Sequence, residues 1–103
     1  MRIDVVGKHM EVTDPIREYA EQKAAKLVKF FDGVQEITIH LTADTHHQTG
    51  SYDVEFVIAV VKHDDFVAKA QDEDIYKAID AAVAKSTRQL TDFKEKLRES
   101  KRS

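Results

Sequence analysis

Basic side chains recur at three- and four-residue spacing in two stretches of this 103-residue chain. The stretch Lys23-Ala-Ala-Lys26-Leu-Val-Lys29 holds three lysines and no acid, and residues 85–103 carry seven basic and three acidic side chains. Lysine and arginine donate charged hydrogen bonds to phosphate oxygens, and several of them on one surface attract a polyanion. The chemistry that these residues could do is therefore the binding of phosphates.

Other residue combinations give weaker indications of chemistry. His46 and His47, with His9 as a third ligand, are the best candidate metal site, but adjacent histidines on one loop rarely share an ion, so surface histidines are favoured. A turn explains Asp64-Asp65, and a helix start explains the acids at 72–74. The sequence has no nucleophile elbow, phosphate-binding glycine loop or dinucleotide fingerprint. We expect no metal, no cofactor, no small-molecule substrate and no enzymatic activity.

The composition is that of a soluble globular domain, with 42% hydrophobic and 34% charged residues. No apolar run approaches the roughly 18 residues of a membrane helix, and the first residues lack a signal-peptide core, so we expect no membrane association. The absence of cysteine excludes a disulfide scaffold and suits the cytoplasm, where we expect the protein to act. The net charge of −3 conceals a segregation, because residues 30–84 carry three basic and eleven acidic side chains.

Hydrophobic periodicity predicts six elements in the order β-α-β-β-β-α. Thr13-Asp14-Pro15 is typical of a helix start and Asp32-Gly33 of a helix end. Lys62 to Asp65 are expected to form a hairpin turn between the last two strands. The predicted elements are a strand over 2–7, a helix over 14–31, strands over 36–42, 52–61 and 66–71, and a helix over 75–97.

This order predicts an α+β fold, a two-layer sandwich in which one four-stranded mixed sheet carries two parallel helices on one face, as in double-stranded-RNA-binding domains. The first crossover makes strands one and two parallel, and hairpins make the other neighbours antiparallel. Both helices should begin at one end of the sheet, lie side by side and end together at the other. Tyr76 is expected in the core with its hydroxyl at the rim, in preference to a base-stacking role.

The predicted helix arrangement makes the molecule bipolar. The basic C-terminal halves of both helices meet at one end, with Lys62 and His63 of the hairpin turn. The opposite end collects the acids Asp14, Glu18, Glu21, Asp72, Glu73 and Asp74. Complementarity to the helix dipoles explains this pattern in either helix alone. Two helices that pool about eight cations in an acidic protein favour a surface for polyanion phosphates.

The chain resembles the ribosome hibernation promoting factors, also called protein Y, ribosome-associated inhibitor A or sigma-54 modulation proteins. The similarity begins with Gly7-Lys8-His9-Met10-Glu11-Val12-Thr13 and Ile16-Arg17-Glu18-Tyr19 and continues through Lys23-Ala24-Ala25-Lys26-Leu27. Its most specific part is Glu73-Asp74-Ile75-Tyr76-Lys77-Ala78-Ile79-Asp80, followed by Arg88-Gln89-Leu90 and Lys94-Glu95-Lys96-Leu97. The similarity covers nearly the whole chain, and the family's fold is the one predicted above.

This resemblance implies a stress or stationary-phase factor that inhibits translation. It would bind the small (30S) ribosomal subunit of the 70S ribosome in the channel for transfer RNA and messenger RNA, where basic side chains would contact 16S rRNA phosphates. A second hibernation factor is a further candidate partner. The candidate RNA-binding residues are Lys23, Lys26, Lys29, Lys77, Lys85, Arg88, Gln89, Lys94 and Lys96.

Some positions depart from the family pattern. Ser86 and Thr87 stand where the family has a bulky apolar residue and a larger neighbour, so looser helix packing is expected there. Thr91-Asp92 replaces a polar-basic pair, which removes one expected RNA contact. We interpret residues 1–98 as a single ribosome-binding domain and residues 99–103 as a basic C-terminal tail that frays. The chain resembles the short form of the family, and a shortened long form would have the same sequence pattern.

Two other functions compete with ribosome binding. A general double-stranded-RNA-binding module would have the same helices-on-sheet layout, and free duplex RNA would then compete for the basic surface. A protein-interaction module would use the acidic end or the outer sheet face, where Val57, Ala59 and Val61 form a modest apolar strip suited to self-association.

Overall fold

The computed structural model describes residues 2–44 and 50–100 of the chain. It contains the six predicted elements in the predicted order. They are β1 (Arg2–Lys8), α1 (Asp14–Phe30), β2 (Val34–Asp44), β3 (Ser51–Val60), β4 (His63–Asp72) and α2 (Ile75–Ser100).

One four-stranded mixed sheet has the order β1-β2-β3-β4. β1 runs parallel to β2, whereas β2 with β3 and β3 with β4 are antiparallel. α1 packs on β1 and β2, and α2 packs on β3 and β4, so both helices cover the same face. The predicted α+β fold class is confirmed.

Local signals in the sequence set the starts of both helices. The Thr13 hydroxyl accepts the Ile16 N–H at 3.5 Å, and Pro15 occupies the first turn, where its missing N–H leaves no bond unmade. The Asp74 carboxylate accepts the Tyr76 N–H at 2.9 Å and the Lys77 N–H at 3.4 Å. Both helices therefore begin at side-chain oxygens that satisfy their first N–H groups.

The core lies between the helices and the inner face of the sheet. β2 and β3 supply the fully buried side chains that their strict alternation predicts, Ile37, Ile39, Leu41, Val54, Phe56 and Ile58. α1 contributes Ala20, Ala24 and Leu27, and α2 contributes Ile79 and Leu90, which is 0% exposed. Ser86 is also 0% exposed, and its hydroxyl donates to the Ala82 carbonyl at 2.9 Å. The core closes over this serine and leaves no polar atom of it unpaired.

The two helices run parallel, but they do not end together as expected. Tyr19 packs against Tyr76 near the two N-termini, with ring centroids 5.0 Å apart. Phe31, directly after α1, packs against Phe93 at 5.6 Å, so α1 ends beside the start of the last third of α2. The last seven residues of α2 extend about 10 Å farther, at about 1.5 Å of rise per residue. Leu97, expected on the buried stripe, is consequently 40% exposed.

The β3–β4 turn is shorter than predicted. It consists of Val61 and Lys62 alone, and Asp64 and Asp65 are exposed residues of β4. The register explains the difference, because Val60 pairs with His63 and Ile58 pairs with Phe66 across a bulge. The turn is tight because Lys62 adopts the left-handed conformation, with φ of 56°.

Tyr76 is not in the core. It is 37% exposed, because it lies on the side of the first turn of α2 that faces Tyr19 of α1 and not the sheet. Phe30, which shares the helical spacing of the α1 stripe, is likewise 37% exposed.

None of the helices in the described part of the chain has the length and apolar composition needed to cross a membrane. His46 and His47, considered above as candidate metal ligands and disfavoured, lie outside the described residues.

Candidate nucleic-acid interface

The three candidate lysines of α1 divide into two kinds. Lys26 and Lys29 are exposed, and within residues 2–44 and 50–100 no carboxylate lies within ion-pair distance of either. Lys23 is different, because its ammonium lies 3.6 Å from Oδ1 of Asp80 on α2 and 5.3 Å from the centre of the Tyr19 ring. Lys26 and Lys29 can therefore bind a phosphate directly, whereas Lys23 would have to weaken or break its ion pair with Asp80.

The candidate residues of α2 point in three directions. Lys94 faces the end of α1, as its contact with Phe30 shows. Lys85, Gln89 and Lys96 face β4 or the groove beside it. Lys77 and Arg88 are exposed and, 11 residues apart at about 100° per residue, share the outer side of the helix.

Two of these residues are bonded to the free edge of the sheet. The Lys85 ammonium donates to the Lys69 carbonyl at 2.6 Å, and the Gln89 amide donates to the Val67 carbonyl at 3.0 Å. Since β4 is an edge strand, these carbonyls have no neighbouring strand to bond. Lys85 and Gln89 therefore close part of the β4 edge, a structural role that their helical spacing does not reveal.

Lys94 joins the two helices at their basic halves. Its ammonium lies 3.4 Å from the Phe30 carbonyl, the last residue of α1, and 5.0 Å from the centre of the Phe30 ring. A cation at this position complements the partial negative charge of the α1 C-terminus. The same contact joins α1 to the last seven residues of α2 (94–100), which we call the α2 extension.

The structure brings a group of five exposed lysines to one end of the molecule. Contacts between Lys94 and Phe30 and between His63 and Phe93 hold the end of α1, the β3–β4 turn and the α2 extension together. We call this surface the basic end; its lysines are Lys26, Lys29, Lys62, Lys94 and Lys96.

The remaining candidates lie outside the basic end. Lys77 is in the first turn of α2, next to the acids Glu73 and Asp74 at the opposite end of the molecule. Lys23, Lys85 and Arg88 lie along the helices between the two ends. The predicted bipolarity is present, but the nine candidates form a band over both helices and not one compact patch.

Lys62 belongs to this surface, although the set of candidate residues does not include it. Its side chain is exposed, and in the part of the chain that the structure describes it makes no ion pair. A lysine with φ of 56° is uncommon, since non-glycine residues avoid this region. Glycine or asparagine would suit the turn better, so the lysine at this position carries a cost in backbone strain.

The fold and the unpaired cations define a small α+β domain with a basic surface suited to polyanions. Residues 3–98 match the model of the family described as sigma 54 modulation protein / S30EA ribosomal protein. The chain is 34% identical over 96 residues to a ribosome hibernation promoting factor of Pseudomonas putida, covering 93% of this chain and 89% of that protein. It is 30% identical over 99 residues to the Escherichia coli ribosome hibernation promoting factor, covering 96% and 99% of the two chains.

Solved structures agree with this relationship. The crystal structure of the Thermus thermophilus protein Y N-terminal domain matches with a TM-score of 0.77 at 27% identity, over 90% of this chain and 99% of that one. A ribosomal subunit interface protein from Coxiella burnetii has the same fold, with a TM-score of 0.81 at 22% identity over 92% and 99%. The chain therefore belongs to the sigma 54 modulation protein / S30EA ribosomal protein family, which includes the ribosome hibernation promoting factors.

Proposed function

We propose that this protein is a cytoplasmic, non-catalytic ribosome hibernation factor that binds the small (30S) subunit and holds the 70S ribosome inactive. The basic end and the outer side of α2 would contact 16S rRNA phosphates in the channel for transfer RNA and messenger RNA. Family membership supports association with the ribosome. A second hibernation factor is a further partner within this proposal.

The observation that carries this proposal is the lack of carboxylate partners for the cations. In the described ranges, Lys26, Lys29, Arg88 and Lys96 are exposed and none has a carboxylate within ion-pair distance. By contrast, Arg2 pairs with Asp4 at 2.8 Å within strand β1 of the sheet. Unpaired cations gain most from phosphate, because no internal pair has to be broken.

The shape of the surface favours folded RNA over an extended partner. Cations lie on two parallel helices, on the tight turn and on a helix extension that projects beyond the sheet. Contacts to phosphates from several elements fix position and orientation without reading base sequence. Specificity would then come from the fit of this rigid arrangement to one RNA cleft.

The test is co-sedimentation with purified ribosomal subunits in sucrose gradients. The variant Lys26→Ala, Lys29→Ala, Arg88→Ala, Lys96→Ala removes four unpaired cations of the proposed RNA-binding surface. A charge-matched control removes four cations elsewhere: Arg2→Ala, Lys8→Ala, Arg17→Ala, Lys69→Ala. We expect wild type and control to migrate with the 30S subunit and the first variant to stay at the top of the gradient.

Two results would contradict the proposal. Undiminished co-sedimentation of the folded first variant would show that these cations do not form the contact. Equal displacement of the wild-type protein by free duplex RNA and by ribosomal subunits would favour a general double-stranded-RNA-binding module. Circular dichroism melting of each variant separates loss of binding from loss of fold.

A further inference from the structure

Three rings form an aromatic cluster at the basic end, where the β3–β4 turn meets α2. His63 lies parallel to Phe66, with an interplanar angle of 6° and centroids 4.6 Å apart. Phe93 of α2 closes the triangle, 4.5 Å from His63 and 5.3 Å from Phe66. Phe66 and Phe93 are half-buried and His63 is exposed, so the cluster is not sealed like the core.

The imidazole of His63 is held in one orientation. Its Nδ1 lies 2.6 Å from the Asp64 carbonyl oxygen, which can only accept, so Nδ1 carries the hydrogen of this bond. The ring also rests on Phe66, and it follows directly after the strained Lys62. A flat ring held in advance of binding loses little freedom when another ring stacks on it.

A groove of about 380 Å3 opens beside this cluster. His63, Phe66 and Phe93 supply aromatic surface, and Gln89, Asp92 and Lys96 supply polar groups. The groove lining carries charges of both signs. Lys96 contributes a cation that is unpaired in the described residues, and Asp92 contributes a carboxylate. The Asp92 carboxylate would repel a phosphate inside the groove, whereas it would not repel an uncharged base.

We propose that this groove takes an unpaired RNA base, which stacks on His63 while its phosphate meets Lys96. The proposal rests on the proposed function, because it assigns one nucleotide contact within the same basic surface. Asp92 can only accept hydrogen bonds when ionised, so it favours a base with an amino group over one with a carbonyl at the same ring position. Cytosine presents its N4 amino group where uracil presents the O4 acceptor, and cytosine is therefore preferred over uracil.

Charge complementarity favours RNA as the occupant. Lys62, Lys94 and Lys96 stand around the cluster, and base–aromatic stacking combined with nearby cations is the usual way in which proteins hold unpaired nucleotides. An apolar peptide would gain nothing from these three cations. It would also have to cover the Asp92 carboxylate without giving it a partner.

The first test follows the aromatic NMR signals of the wild-type protein during titration with eight-residue oligocytidine and oligouridine. We expect the His63, Phe66 and Phe93 ring signals to shift with oligocytidine, at concentrations where oligouridine shifts them several-fold less. Shifts confined to signals of lysine-bearing segments would overturn the groove and leave phosphate binding intact. Equal shifts with both oligomers would overturn the role of Asp92.

The second test measures ribosome affinity for three variants at position 63. His63→Leu keeps apolar bulk without a ring face and should weaken binding about 5- to 150-fold, the range for loss of one stacked base. His63→Tyr keeps a ring face and should bind within about twofold of wild type. His63→Lys supplies a cation without a ring and should bind as weakly as His63→Leu.

The outcomes separate the two proposals. Wild-type affinity in His63→Leu, with equal melting temperatures, would overturn base stacking while ribosome binding stands. Full affinity in His63→Lys with weak binding by His63→Tyr would replace stacking with charge. Absence of ribosome binding by the wild-type protein would overturn the proposed function, and the oligocytidine titration would then decide the groove on its own.

Discussion

Tyr19 donates its phenolic hydrogen to Oδ1 of Asp80 over 2.5 Å, joining α1 and α2 through residues 61 positions apart in the chain. Lys23 of α1 approaches the same carboxylate oxygen at 3.6 Å. The ring of Tyr76 packs edge-on against Tyr19 with an interplanar angle of 81°. Asp80 is thus the acceptor through which α1 is fixed beside α2, on the side of the molecule that carries the candidate cations.

The hydrogen bond to Asp80 raises the pKa of Tyr19 above its ordinary value of 10.0, with desolvation and the nearby negative charges adding to the effect. We expect Asp80→Ala to lower this pKa toward 10.0, measured by NMR titration of the tyrosine ring. Asp92→Ala, which removes a carboxylate far from Tyr19, is the control and should leave it unchanged. An unaltered Tyr19 titration in Asp80→Ala would show that the bond does not form.

The same bond makes stability depend on alkaline pH. Because the folded-state pKa of Tyr19 lies above the unfolded value, the stabilisation is complete below about pH 10 and is lost as the pH rises through the folded value. Urea denaturation between neutral pH and pH 11 should show this loss in the wild-type protein. Tyr19→Phe should remove the part of the alkaline loss that belongs to this residue, and an identical pH profile would contradict the assignment.

Lys85 and Arg88 should contribute unequally to ribosome binding, although both were predicted as RNA contacts. The Lys85 ammonium already donates to the Lys69 carbonyl at 2.6 Å, whereas Arg88 is exposed without a carboxylate partner in the described ranges. We expect Arg88→Ala to weaken binding more than Lys85→Ala does, in the same sedimentation or filter-binding assay. The reverse order would show that RNA replaces the hydrogen bond from Lys85 to the Lys69 carbonyl without a loss of binding free energy.

Lys62 should trade stability for binding. Left-handed backbone costs a non-glycine residue about 1–2 kcal/mol, part of which Lys62→Gly recovers against the greater freedom of glycine in the unfolded chain. We expect Lys62→Gly to raise the free energy of unfolding by about 0.5 kcal/mol and to weaken ribosome binding. Lys62→Asn is the control for charge, because it removes the ammonium group and asparagine tolerates this backbone conformation. A more stable variant with undiminished affinity would remove Lys62 from the interface.

The core of α2 provides a test of its register. Leu90 is 0% exposed beneath the sheet, so Leu90→Ala should lower the free energy of unfolding by roughly 2–5 kcal/mol. Ser86→Leu should also destabilise, by about 1–3 kcal/mol, because the core is closed around the small side chain. Urea denaturation measures both. Stabilisation by Ser86→Leu would show that space remains there, as the sequence comparison with the family suggested.

The strands β2 and β3 were predictable because each has one buried and one solvated face, which a strict alternation of apolar residues reports. The turn after β3 was not. Asp64 and Asp65 are typical turn residues, yet they extend β4. The actual turn has a lysine at positive φ, where glycine, asparagine or aspartate is usual, so residue preferences did not indicate it. The apolar spacing of α2 continues to Leu97, but the sheet beneath it ends at the β3–β4 turn, and only the packing of Phe93 reveals this.

The sequence predicted which charged residues of the candidate interface are exposed, but not which groups of the protein they contact. The exposure of Lys26, Lys29, Lys85 and Arg88 follows from helical spacing and is confirmed. Two contacts depend on how far each helix lies from its neighbours: the hydrogen bond from Lys85 to β4 and the ion pair of Lys23 with Asp80. The spacing of residues in the sequence carries no information about these distances. The aromatic cluster at His63 likewise joins residues 30 positions apart in the chain.

The central claim is that unpaired cations bind ribosomal-RNA phosphates, and the salt dependence of ribosome affinity tests it most directly. With about six phosphate contacts, each contributing about −0.7 to −0.9, log K should fall against log salt with a slope of roughly −4 to −5. Binding of wild-type protein to purified 30S subunits, measured from about 50 to 200 mM salt, gives this slope. A slope in the expected range that becomes shallower by about three contacts in Lys26→Ala, Lys29→Ala, Arg88→Ala would support the account. A nearly flat salt dependence, unchanged in that variant, would contradict it.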